Sequence, residues 1–270
     1  MSGAFRGAGR VFDLSLGQLL WSRRTIFMAL VLAVPVIIAL VERLLTVGGI
    51  TAMRVNDVRV GGATIFGLII WLCLRVVVPI LGVFYGTALI ADEVDDKTIT
   101  YLFTRPVRRA AVLLGKYLAY LVCTGLVVLP AIVIVYFLAV PFREVPGTFG
   151  ALAIDVGLLA LGLAAYGAVF ALVGAVMPRP AVVGLVFAFG WEQAAMLMPG
   201  YLSRLTIAYY LQALVPHAIP SQEGVAALLQ ALIGEVPSPV TCVAALLITT
   251  TLALALGCRV VERREYVLEQ

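Results

Sequence analysis

Asp92 to Arg109 reads DEVDDKTITYLFTRPVRR, a charged and amphipathic island between the long apolar stretches 63–91 and 113–140. Both flanks are too apolar for a soluble domain, so the island works at a membrane surface. Four acids, Asp92, Glu93, Asp95 and Asp96, open it, and Arg105, Arg108 and Arg109 close it. As a helix it would carry its acids at the positive end of the dipole, with Glu93 four residues ahead of Lys97 in the favourable order. Its middle, Thr98 to Phe103, is too apolar and aromatic for a solvated loop, which predicts that one face packs on something. Pro106 drives Arg105 toward an extended conformation and ends the helix before the next apolar run.

The rest of the chain has the same character. Of 270 residues, 63% are hydrophobic and 13% charged, and the mean hydropathy is +1.09. These values exclude a soluble globular domain. Crossing about 30 Å of hydrocarbon takes about 20 apolar residues, and six stretches qualify: 26–45, 63–91, 113–140, 150–176, 181–199 and 239–258. The expected fold is an all-α polytopic membrane protein with six transmembrane helices, forming one membrane domain over residues 1–270. Pro35, Pro79 and Pro130 fall inside spans, where a missing backbone donor permits a kink.

Orientation follows from the cations between spans. One side collects Arg6, Arg10, Arg23, Arg24, Lys97, Arg105, Arg108, Arg109, Lys116, Arg179, Arg259, Arg263 and Arg264, against Arg43, Arg54, Arg59, Arg143 and Arg204 on the other. Both termini and the 92–112 loop are therefore expected in the cytoplasm, at the plasma membrane. The net charge of +4 reflects this bias and gives no reason to expect nucleic-acid binding.

Within 10–24, Phe12, Leu16, Leu19 and Leu20 recur at helical spacing, which predicts an N-terminal amphipathic helix in the interface with Trp21 among the headgroups. Arg23 and Arg24 precede an apolar run without a small-residue cleavage site, so this run is read as the first span rather than a signal sequence. The string LSLGQ at 14–18 superficially resembles an ABC ATPase signature, but the sequence contains no G-x-x-x-x-G-K-[ST] phosphate loop. No nucleotide-binding or catalytic motif is present, so the chain is read as no enzyme. Cys73, Cys123, Cys242 and Cys258 stand singly in or beside spans and read as small apolar residues, not as metal ligands. Residues 200–238 form the longest external stretch, with two short amphipathic helices expected on or in the outer leaflet. His217, between Pro216 and Pro220, reads as a turn residue.

Two charges fall deep inside predicted spans, away from their ends. Arg75 in the second and Glu192 in the fifth are expensive there unless paired or wetted. Either can line a path, form a gate or pair structurally within the bundle, and they are the intramembrane polar candidates. Asp155, near the outer end of the fourth span, is expected to reach water.

On particular residues the chain resembles the permease subunits of ABC-2 type transporters, including the membrane subunits of nitrous oxide maturation transporters and related multidrug permeases. The matching positions are Glu93, Thr98, Ile99, Tyr101, Leu102, Arg105-Pro106-Val107 with Arg109, Gly115-Lys116, and WEQAAMLMPGYLSRLTIAYYLQAL at 191–214. The resemblance implies an ABC-2 exporter-type fold in which 92–109 is a coupling helix docked on a separate cytoplasmic ATPase. Glu93, Lys97, Thr98, Tyr101, Leu102, Phe103, Arg105, Pro106 and Arg109 would form that interface, Tyr101, Leu102 and Phe103 being buried anchors. ATP and magnesium would be bound by the partner, and no cofactor by this chain. A second permease copy in a homodimer, membrane lipids and an external accessory protein complete the expected partners. Two rivals remain open on the residues alone. One is an ion-coupled secondary transporter using Arg75 and Glu192; the other is an intramembrane prenyltransferase-like enzyme binding magnesium at DEVDD.

Overall fold

The structure, a computed structural model, describes residues 12, 15–19, 21, 23–48, 54–55, 58–59, 62–95, 109–197, 202–216 and 237–263. The described residues are helical almost throughout. Helix α1 covers Arg23–Val47, and a two-residue antiparallel pairing joins β1, Arg54–Val55, to β2, Val58–Arg59. Helix α2 then runs from Gly62 through Asp95 in five end-to-end pieces. Helices α3, Arg109–Ala139, and α4, Val145–Val176, follow. Helix α5 starts at Pro180 and ends at Leu197, α6 is the short Ile207–Ala213, and α7 is Pro239–Arg263. Residues 15–19, inside the expected interfacial segment, are helical, and Trp21 is 93% exposed.

Five helices among the described residues are long and apolar enough to cross a membrane: Arg24–Val47, Gly62–Asp92, Arg109–Ala139, Val145–Val176 and Pro239–Arg263. They match five of the six expected spans. The remaining one, 181–199, forms the shorter α5, which carries Glu192 and Gln193 in its last third.

Helices α2 and α4 form the buried centre, while most of the outer faces of α1 and α7 are exposed apolar surface suited to lipid. Glycines set how closely α2 and α4 approach. A Cβ at Gly82 would lie 2.8 Å from Tyr166 Cβ, one at Gly86 2.9 Å from Phe170 Cβ, and one at Gly174 2.3 Å from the Thr87 carbonyl oxygen. Lipid tails are as apolar as leucine, so such small-residue contacts supply van der Waals packing that burial alone does not. Helix α3 joins α4 by hydrogen bonds: Tyr117 donates to the Ala164 carbonyl at 2.8 Å and Tyr120 to that of Leu163 at 3.0 Å. Tyr120 reaches its acceptor because Gly167 leaves the helix surface open; a Cβ there would lie 2.1 Å from the Tyr120 ring.

Among the described residues, three stretches depart from α geometry into π-helix: Cys73–Val77 and Gly82–Gly86 in α2, and Val186–Trp191 in α5. The first has a visible cause in Pro79. Proline offers no N–H to the carbonyl of Arg75, and its ring would strike that carbonyl, so the turn widens and Val78 N–H bonds to Cys73 O instead. Pro35 and Pro130, by contrast, lie within uninterrupted helix.

Candidate functional site

The arrangement of the elements fixes which helix ends share a side. Arg24, at the start of α1, pairs with Asp92, near the end of α2, at 2.5 Å. The Cys258 thiol, near the end of α7, lies 4.0 Å from the Ala110 carbonyl at the start of α3. Gly62 opens α2 against the carbonyl of Ala139 at the end of α3. Asp92, where the 92–109 segment begins, thus lies beside the N-terminal end of α1. Arg24 and Asp92 are both about 40% exposed, so the pair contributes orientation more than stability.

Of the expected interface residues, Arg109 is the half-buried first residue of α3, and Glu93 lies in the helical backbone of α2. Lys97, Thr98, Tyr101, Leu102, Phe103, Arg105 and Pro106 lie outside the described residues, as do His217 and the amphipathic run 225–233.

The two intramembrane candidates are both in the structure, and both adjoin π-helix. Arg75 lies within Cys73–Val77, half-buried, with its guanidinium 5.2 Å from the centre of the Trp71 ring four residues before it. A cation over an aromatic face is worth about 2 kcal/mol when desolvated, which offsets part of the cost of the charge. No carboxylate lies within ion-pair distance of Arg75 among the described residues.

Glu192 follows directly after Val186–Trp191 and is 1% exposed. One carboxylate oxygen accepts a hydrogen bond from the Tyr166 hydroxyl of α4. The other accepts from the backbone N–H of Ile207, the first residue of α6, at 3.1 Å. The Thr206 hydroxyl caps the same helix end by accepting from Tyr209 N–H at 3.3 Å. Ile207, Ala208, Tyr209 and Leu211 are buried, and Leu211 enters the gap left by Gly162, where a Cβ would lie 3.2 Å from it and 3.3 Å from Val78 of α2. The described part of 200–238 is therefore inserted among the helices. Asp155, expected to reach water, is fully buried in α4. Its helix begins at Val145, so Asp155 sits about 15 Å along it at 1.5 Å per residue.

Sequence reasoning missed Tyr166, Gly82, Gly86, Gly167 and Gly174. Gly82-x-x-x-Gly86 is a small-xxx-small pattern, and that spacing was the available signal. Tyr166 lies 26 residues before Glu192 in sequence and left no local trace.

The family model described as ABC-2 family transporter protein matches residues 13–266. The chain belongs to the ABC-2 transporter family. No curated protein matches it. As an ABC-2 protein it is a multi-pass permease subunit of an ABC transporter, a membrane subunit that is normally non-catalytic in this family. Membership implies partnership with an ATP-binding subunit.

Proposed function

We propose that this ABC-2 permease is the membrane subunit of an exporter whose energy comes from a separate cytoplasmic ATPase docked on residues 92–109. The carrying observation is the family match across 13–266. The form of α2 supports it: 31 residues from Gly62 to Asp92 span about 46 Å at 1.5 Å per residue, more than the roughly 30 Å hydrocarbon core. The helix thus projects out of the bilayer toward the coupling segment, and the Arg24–Asp92 pair braces its end against α1.

In this reading Tyr101, Leu102 and Phe103 seat in the ATPase, Glu93, Lys97, Thr98, Arg105 and Pro106 set the loop's charge and shape, and Arg109 starts α3 at the inner headgroups. Closure of two ATPases around ATP and magnesium pulls the coupling segments and tilts the bundles of two permease copies. Helix α5 serves as the sixth crossing, with α6 continuing it outward. Both termini lie in the cytoplasm at the plasma membrane, and the external 200–238 region is the surface open to an accessory protein. Arg75 and Glu192 belong to the inner faces of the bundle.

The test is to purify the full chain in mild detergent from its native membranes and assay ATP hydrolysis with and without the pair Tyr101→Ala and Phe103→Ala. A stoichiometric ATPase lost from the double variant supports the reading. A chain that arrives alone, without ATPase activity, moves the weight to ion-coupled transport through Arg75 and Glu192.

A further inference from the structure

Helix α6 is seven residues long, too short to be stable alone. Its N-terminus nevertheless sits against the Tyr166–Glu192 pair, and Tyr166 lies 21 residues after the start of α4, about 32 Å along that helix. Four of its seven residues are buried. Leu211 fills the gap at Gly162, and Glu192 fastens the N-terminal end of the helix. Glu192 uses its two oxygens on two different elements, α4 through Tyr166 and α6 through Ile207. Because Glu192 is 1% exposed, losing either donor leaves a buried acceptor short of a partner.

We propose that Glu192 is a positioning residue that latches α6 into the bundle, so that α6 seals the translocation path at the depth of the Tyr166–Glu192 pair and leaves only when its bond to Glu192 is released. The role of the seal rests on the permease reading; the latch itself rests on the geometry alone. Hydrogen-bond geometry, not charge, is what the latch requires. A glutamine keeps both contacts, since its amide oxygen can accept from Ile207 N–H and its amide nitrogen can donate to the Tyr166 oxygen. An ion-carrying role for Glu192 makes the opposite demand.

The experiment uses the full chain in sealed membrane vesicles of both orientations, carrying Ala208→Cys, a position 5% exposed. A membrane-impermeant maleimide is applied and its attachment to residue 208 is followed by peptide mass. Labelling of the parent is expected to be slow and confined to vesicles exposing the outer face. Tyr166→Phe deletes one bond and leaves the ring stacked on Phe170, 6.0 Å between centroids, so the variant folds. With the Glu192 carboxylate no longer steered by Tyr166, it should label faster by up to about tenfold, the full effect of one buried hydrogen bond of about 1.4 kcal/mol. Glu192→Ala should label faster still, and Glu192→Gln near the parent rate.

Parent-like labelling in both Tyr166→Phe and Glu192→Ala overturns the proposal, and so does Glu192→Gln labelling as fast as Glu192→Ala. The labelling needs no ATPase. If the latch fails while the purified complex still hydrolyses ATP, only the latch falls. If labelling behaves as expected but no ATPase accompanies the chain, the permease reading falls and the latch stands.

Discussion

Gly174→Ala places a methyl group where the backbone of α2 already is. An ideal Cβ at Gly174 lies 2.3 Å from the Thr87 oxygen and 3.0 Å from both Thr87 C and Cα, whereas ordinary contact begins near 3.4 Å. Relief requires α2 and α4 to part by about 1 Å, the difference between 3.4 and 2.3. Neither side can yield by a rotamer change, because the obstacle is main chain, and the Thr87 hydroxyl is itself bonded to Val83 O at 2.6 Å. Overpacking of this kind costs about 1–3 kcal/mol, and the rigid backbone puts this site at the upper end. The helix-propensity gain of alanine over glycine returns about 1 kcal/mol, leaving a net loss of about 2 kcal/mol. Gly157→Ala, on the same helix with nothing within 4 Å, has the gain without the clash. The two variants should therefore differ by about 3 kcal/mol, or roughly 6–12 °C in Tm for a chain of this size. Cys73, Cys123 and Cys242 are buried free thiols, so a thiol-reactive fluorophore reports unfolding in detergent without an added label. Equal melting temperatures for Gly174→Ala and Gly157→Ala would refute the claim that α2 and α4 meet backbone to backbone.

Other variants probe the remaining contacts. Tyr120→Phe removes the bond to Leu163 O and should lower stability by about 1 kcal/mol in the same thiol assay, with the ring left to cover Gly167. Arg24→Asp or Asp92→Arg alone should reduce substrate-independent ATPase activity in the copurified complex severalfold, and the exchange of both charges should restore it; failure of the double variant to recover removes the pair from the coupling path. The stability change should stay below about 1 kcal/mol, since both side chains are well exposed. Arg75→Lys loses the planar cation that stacks on Trp71; lower thermal stability than the parent is expected, and in a Trp71→Ala background the same Arg75→Lys change should have no effect.

The long spans were legible because their signal is cumulative: α3 and α4 each carry over thirty consecutive helical residues, and length and apolarity decide such elements without any knowledge of contacts. Helix α6 was not legible in the same way. Seven residues, IAYYLQA, cover barely two turns, too few for a periodic pattern to distinguish a leaflet-bound helix from one inserted in the protein. The expected outer placement of Asp155 assumed a helix that starts at the membrane surface; the helix begins at Val145, and neighbouring elements cover the side chain. Glu192 was recognisable as a charge out of place, but what satisfies it comes from α4 and from a backbone N–H fifteen residues onward. A backbone donor has no sequence signature. Pro79 gave notice of a disturbance in α2, yet Pro35 and Pro130 gave the same notice and were absorbed, so proline alone does not predict where a helix widens.

The widened turn at Gly82–Gly86 makes the length of α2 a functional quantity. Each residue of an α-helix turns the chain by about 100°. The wide turn holds one residue more than an α-turn, so deleting one residue between Val83 and Tyr85 and returning to regular α geometry would keep Ala88 to Asp92 close to their present phase, whereas deleting one residue from the regular stretch Gly62–Leu72 would swing Asp92 about a third of a revolution relative to the outer end. Asp92 would then face away from Arg24, and whatever the following segment presents to the cytoplasm would point in a new direction. The wide turn would thus act as a reserve of phase between the two ends of the helix, absorbing a deletion that the regular stretches would pass on.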